Sequence, residues 1–194
     1  MRRRNALAAA LLLALAACRG GDPEPGANAT EPVPMIATDP CPAPAGAAAA
    51  GTGNGGGRRF PDVDLPCIGH DGRVAMRALG GTPYVVNLWA SWCLPCRTEM
   101  PEFQRVYTDL KGRVGFLGVD TKDFERPARE AIQRAAVSYP SVFDPDERIK
   151  RAVNTRSLPA TVLLRADGTI ADVHIGQLTE AELRAAIAKH LGVS

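Results

Sequence analysis

The sequence predicts an α/β fold, a central mixed sheet flanked by helices. Three observations carry that expectation. Val85-Val86-Asn87-Leu88-Trp89 is a mostly apolar run that reads as a buried strand. It leads directly into a helix with Pro95 at an early helical position, where a missing N–H costs nothing. Beyond that helix, strands alternate with helices, and the chain closes on a hairpin and a last helix.

The chain has 194 residues, 45% of them apolar, enough for one domain with a tail. The formal net charge is only +2, so no nucleic acid or acidic polymer is implied as a partner. Residues 1–17 read as an export leader. Arg2, Arg3 and Arg4 precede an apolar stretch, Ala6 to Ala17, that is too short to span a bilayer. The leader ends Leu15-Ala16-Ala17-Cys18, small residues before a cysteine that resemble the lipobox of a bacterial lipoprotein. That resemblance implies lipid on Cys18; the alternative is an ordinary cleaved leader followed by a chance cysteine. Without residues 1–17, the 23 basic residues fall to 20, against 21 acids. Residues 18–58, dense in Pro, Gly and Ala, cannot form a core and read as a flexible linker. Cys41 lies inside that linker and needs a partner.

Residues 59–194 carry the fold. Phe60 to Cys67 and Arg73 to Met76 flank the turn His70-Asp71-Gly72 and read as an N-terminal hairpin. Val85 to Trp89 is the central strand. Pro95 to Leu110 is the helix after it, with a kink expected at Pro101. Val114 to Val119 is the next buried strand, and Phe124 to Ala136 has helical spacing. Ser141 to Phe143 reads as a short strand before the turn Asp144-Pro145-Asp146, and Glu147 to Val153 as a helix. Thr161 to Leu164 and Ile170 to Ile175 form a hairpin around Ala166-Asp167-Gly168. Thr179 and Glu182 make a capping box for a final helix ending near His190.

The chemistry lies in Cys93-Leu94-Pro95-Cys96. Two cysteines so spaced across a helix start can close a small disulfide. Cys93 meets the unpaired N–H groups and the positive end of the helix dipole, and Arg97 follows four residues on, so its thiolate is favoured. Cys93 is the expected attacking thiol and Cys96, one turn inside, the resolving one. A permanent disulfide or half of a zinc site shares the spacing. The strand–helix setting with Trp89 and Trp92 argues against both.

The wording Val-Val-Asn-Leu-Trp-Ala-Ser-Trp-Cys-x-Pro-Cys-Arg-x-Glu-Met-Pro, from Val85 to Pro101, resembles the active site of the thioredoxin-like family. More narrowly it resembles the exported, membrane-tethered TlpA/ResA-like branch. The resemblance runs from about Phe60 to the C-terminus. It implies a thioredoxin-like fold, with Asp120 to Val153 as an inserted strand–helix segment. It also implies a cis peptide at Pro159, which would keep an N–H away from the thiols and expose the Leu158 backbone to an extended substrate. Read alone, Pro159 is an ordinary strand starter. Asn87 departs from the family, many of whose members carry a buried, proton-moving Asp there. The branch can supply an acid from its insert instead, and Asp120 is the candidate, with Asp123 behind it. For both, capping the next helix is the competing reading. Glu99 reads as a solvated charge on the helix face.

The implied activity is thiol–disulfide exchange on exported proteins, at the outer face of a bacterial cell membrane, with a membrane or extracytoplasmic electron donor. Leu94-Pro95 carries no positive charge to stabilise a thiolate, in line with a reductase such as those of cytochrome c maturation. An oxidising, disulfide-forming protein is the reverse alternative. A peroxiredoxin-like peroxidase needs a Thr three residues before its reactive cysteine, but Ala90 and Cys93 hold those places before Cys93 and Cys96. A metal chaperone finds no Met-rich or His-rich segment. No cofactor or metal is expected, and His70, His174 and His190 show no ligand spacing. With Cys18 lipidated and Cys93 paired with Cys96, Cys41 and Cys67 remain, and an exported setting favours a bridge between them. Such a bridge would stabilise by roughly 3 kcal/mol. The rival reading is that one of the two exchanges with the active site.

Overall fold

A computed structural model describes residues 37–43 and 57–194. The residues read as a leader, Cys18 and most of the stretch read as a linker lie outside the described residues.

Strand β1 (Asp64–Pro66) pairs antiparallel with β2 (Arg73–Ala75), forming the N-terminal hairpin. The main sheet contains β3 (Tyr84–Trp89), β4 (Gly115–Thr121), β5 (Ser141–Asp144), β6 (Ala160–Leu164) and β7 (Ile170–Ile175). Their order is β5-β4-β3-β6-β7. β3 is central, parallel to β4 and antiparallel to β6, so the sheet is mixed. The insert supplies α2 (Glu125–Arg134), β5 and α3 (Arg148–Ala152), and β5 extends the sheet beyond β4 at one edge.

β3 is apolar on both faces because both are covered, as a central strand requires. Val85 and Trp89 join α1 (Leu94–Leu110) in one core cluster; Val86 and Leu88 join the hairpin and α3 in another. On α1, Cys96, Met100, Phe103, Tyr107 and Leu110 recur at helical spacing and are buried. The helix continues through Pro101, so the proline removes a hydrogen bond without ending the element. Gly118, in β4, leaves room for its neighbours: a Cβ there would collide with the Ser141 hydroxyl and sit 2.8 Å from Trp89 Nε1. The final helix, α4 (Glu180–Leu191), opens with both hydrogen bonds of the Thr179–Glu182 capping box.

Ala37–Ala43, within the stretch read as linker, lies against the domain. Asp39 N–H donates to Ser138 O at 2.7 Å. The Asp39 carboxylate accepts from the Tyr107 hydroxyl and from Lys111 Nζ, the latter at 2.6 Å. Thr38 Oγ1 and O each lie 2.9 Å from His70 Nε2, so His70 has a structural contact that its position in a turn did not suggest. Cys41 and Cys67 are joined as a disulfide, with Cα atoms 6.3 Å apart.

Candidate active site

The turn between β3 and α1 places the two cysteines. Cys93 takes the N-cap position of α1, and its sulfur accepts the Cys96 N–H at 3.3 Å. An N-cap side chain ordinarily accepts such a bond from one of the helix's unpaired N–H groups. Cys93 and Cys96 form a disulfide with Cα atoms 5.3 Å apart. Cys93 is 5% exposed and Cys96 fully buried. Pro95 sits in the first turn and Arg97 is exposed. The Leu158–Pro159 peptide is cis; Pro159 is buried, while Leu158 is half-buried and packs on the core cluster that contains Cys93.

A second loop grips this turn. The Asp123 carboxylate accepts from Ser91 N, from Ser91 Oγ at 3.0 Å and from Phe124 N at 2.7 Å. The Trp92 indole donates to Lys122 O at 2.9 Å. Lys122 and Asp123 therefore hold the active-site turn directly, and Asp123 does more than serve the next helix.

Two buried carboxyls lie under the disulfide's helix and strand. Glu99 is fully buried, which corrects its reading as a solvated helix-face charge. It accepts from Asn87 Nδ2 at 2.8 Å and from Leu178 N at 3.1 Å. Burial pushes its pKa up to about 7, against these two hydrogen bonds. The clue was available: Asn87 interrupts an apolar strand, and Glu99 falls at the spacing of the buried face. Asp120, at the C-terminal end of β4 opposite Trp89, is also fully buried. Burial first, then the neighbouring Asp123 carboxylate, pushes its pKa up to about 9. Among the described residues neither Asp120 oxygen has a hydrogen-bond partner.

Glu99 yields a pH test. Its folded pKa of about 7 exceeds the unfolded value of 4.5, so its contribution to stability is fully present below 4.5 and is lost as pH rises through 7. Glu99→Gln should shrink the stability difference between pH 4 and pH 8 by roughly 3 kcal/mol. Urea denaturation at the two pH values measures it, and an unchanged difference would show that Glu99 does not titrate in the fold.

Chemically, the site holds a reducible sulfur pair at a helix start, with a carboxyl poised near neutrality one helical turn from Cys96. No group of three or more His, Cys, Asp or Glu is arranged for a metal among the described residues.

Known proteins resemble this chain in sequence and in fold. The model of the AhpC/TSA family matches residues 57–173. The thiol-disulfide oxidoreductase ResA of Halalkalibacterium halodurans is 32% identical over 108 residues, which cover 55% of this chain and 61% of that protein. The chain thus spans less than two thirds of that relative's length. The thiol:disulfide interchange protein DsbE of Pseudomonas fluorescens biotype C is 30% identical over 129 residues, 66% of this chain and 71% of its own length. Among solved structures, a thioredoxin-family thiol:disulfide interchange protein of Chlorobium tepidum superposes with a TM-score of 0.61 at 21% identity, covering 70% of this chain and 97% of that one. A secreted Mycobacterium tuberculosis disulfide oxidoreductase superposes at 0.60 with 23% identity, covering 66% and 96%. Both likenesses show the mixed-sheet, thioredoxin-like fold. With a family model matched over more than half its length and relatives of the ResA and DsbE kind, this chain belongs to the thioredoxin-like AhpC/TSA family.

Proposed function

We propose that the chain is an exported thiol–disulfide oxidoreductase that reduces disulfides of other exported proteins. The observation that carries this reading is the Cys93–Cys96 pair at the N-terminal end of α1, with the buried Glu99 one turn further along. The ResA and DsbE relatives support the reaction class.

In the reduced protein, the Cys93 thiolate attacks a substrate disulfide. The substrate S–S bond breaks, a Cys93–substrate disulfide forms, and the departing substrate sulfur takes a proton. Cys96 then loses its proton and attacks Cys93 Sγ. That closes the Cys93–Cys96 bond and releases the second substrate sulfur, which is protonated in turn. Two electrons pass from the protein dithiol to the substrate, and an extracytoplasmic or membrane donor restores the dithiol. Glu99, poised near neutrality, suits the acceptor of the Cys96 proton. Asp120 keeps its proton at pH 7 and suits the return of one to a leaving sulfur. Trp92, Pro95, Arg97 and the Leu158–Pro159 segment frame the mouth and receive the extended substrate.

The reduction potential of the Cys93–Cys96 couple tests the direction. A value near that of thioredoxin, about −270 mV, is expected, whereas one near −120 mV would mark an oxidant and overturn the reductive reading.

The same proposal assigns residues 1–17 to a leader, Cys18 to lipid attachment, residues 18–58 to a tether, and the Cys41–Cys67 pair to a structural bridge. Cys18→Ala should move the protein out of the membrane fraction on ultracentrifugation; equal retention of variant and wild type would place the anchor elsewhere.

A further inference from the structure

The surface beside the disulfide carries two features that the exchange chemistry does not use. The first is Phe124. It occupies the N-cap of α2, where Ser, Thr, Asp or Asn would serve the helix, and it makes no side-chain cap. It is 78% exposed, the highest value among the exposed large apolar side chains described. Its loop is held in place: Phe124 N–H donates to Asp123, and Asp123 in turn binds Ser91 of the active-site turn. Trp92 and Leu94, 58% and 65% exposed, lie on that turn. A lone exposed Phe needs no explanation, but three bulky apolar side chains on two loops stitched together form a rim.

The second feature is a hollow of about 210 Å³ lined by Glu147, Lys150, Arg151, Thr155 and Arg156. Three cations face one carboxylate there, and Glu147 is already paired with Lys150 at 2.5 Å. Arg151 donates to the Asp146 carbonyl, and Arg156 has no ion pair among the described residues. Backbone hydrogen bonds tie the hollow to the loop that holds the active-site turn: Lys122 N–H and Glu147 N–H both donate to Asp144 O, at 3.3 and 3.1 Å. Arg156 lies two residues before Leu158 in sequence. The Glu147 carboxyl is held below its usual range first by the Lys150 hydrogen bond, with the Lys122 charge adding to it. Lys122 is the residue whose carbonyl accepts from the Trp92 indole.

We propose that this face docks an extended polypeptide whose reacting cysteine is flanked by a bulky apolar residue, seated on the Phe124 rim, and by acidic residues, seated in the Lys150–Arg156 hollow. The inference rests on the exchange reading above and adds the selectivity of the same site. Charge complementarity argues for the acidic flank, and continuity with the Cys93 turn argues for the apolar one.

Short peptides with an internal disulfide and varied flanks test it. Reduced full-length protein is mixed with each, and acid-quenched samples give the second-order rate of reduction by chromatography. A peptide with Phe and Asp flanks should react about tenfold faster than one with Gly in place of Phe, and about tenfold faster than one with Lys in place of Asp. Raising salt to about 1 M should erase the acidic preference and spare the apolar one, because screening then acts within a few Å. Phe124→Ala should abolish the ratio between Phe- and Gly-flanked peptides, and Arg156→Glu should reverse the ratio between Asp- and Lys-flanked ones. Ratios within one variant cancel any general loss of activity. Equal rates across peptides in the wild type, or ratios that neither substitution moves, would overturn the inference. Hydroxyethyl disulfide, small and neutral, separates the two levels: wild type inert toward it overturns the exchange reading and this inference together, whereas turnover without peptide preference overturns only the docking surface.

Discussion

Cys96→Ser should accumulate mixed disulfides with its substrates, and Cys93→Ser should not. Position decides the roles. Cys93 caps α1, so its sulfur faces the helix's unpaired N–H groups and already accepts one of them, from Cys96. Both that hydrogen bond and the positive end of the helix favour the thiolate, which is the attacking species. Cys96 lies a turn inside and is fully buried, reachable by a sulfur already attached to Cys93 but not by a partner from solution. With Ser at position 96, attack proceeds and release does not. With Ser at position 93, neither begins efficiently. Steady-state turnover should fall by several orders of magnitude in both variants, because losing either member of a unit stops the whole cycle. Non-reducing gels of protein mixed with a disulfide substrate distinguish them. Adducts from Cys93→Ser and none from Cys96→Ser would reverse the assignment.

Asp120→Asn should stabilise the domain near neutral pH. A carboxyl with a folded pKa of about 9 keeps its proton at pH 8, while the unfolded chain, at the ordinary 3.8, has released it. The sign follows from proton counts. Between those two values the folded state holds one more proton than the unfolded state, so stability falls as pH rises. The Asp contribution is fully present below pH 3.8 and is lost on the way up through about 9. Asn has nearly the same shape and never pays that term. The amide also has buried polar atoms without partners, which offsets part of the gain. A net gain of about 2–4 kcal/mol at pH 8, shrinking toward zero near pH 4, is expected. For a domain of this size it corresponds to a rise in Tm of roughly 5–15 °C. Thermal melts of the oxidised proteins at both pH values measure it. A difference between variant and wild type that is the same at both pH values would show that Asp120 is ionised in the fold.

Most of the fold was legible because its signals are local. The apolar run of β3, the Pro95 helix start and the Thr179–Glu182 box each lie within one element and recur in the structure almost residue for residue. Glu99 was not legible by composition: a charged residue on a helix is ordinarily solvated, and its partners, Asn87 and Leu178, lie 12 and 79 residues away. Part of the hold on Ala37–Ala43 escaped for a different reason. Beside the expected Cys41–Cys67 bridge it rests on Asp39 and the Thr38–His70 contact, not on large apolar side chains, so a search for core-forming residues passes over it. Asp123 was singled out as an acid behind Asp120. Its grip on Ser91 depends on β4 lying beside β3, a register that no short motif encodes.

The docked strap, Ala37–Ala43, meets the domain at one pole. Asp39 is fastened to Tyr107 and Lys111, at the C-terminal end of α1, while Cys93 stands at the other end of the same 17-residue helix. That helix is about 25 Å long. Any leash reaching the domain through Ala37 therefore attaches at the pole opposite the sulfur pair. Tension applied at Ala37 would be borne by the clamp at Asp39 and the Cys41–Cys67 link, a helix length away from the sulfur pair.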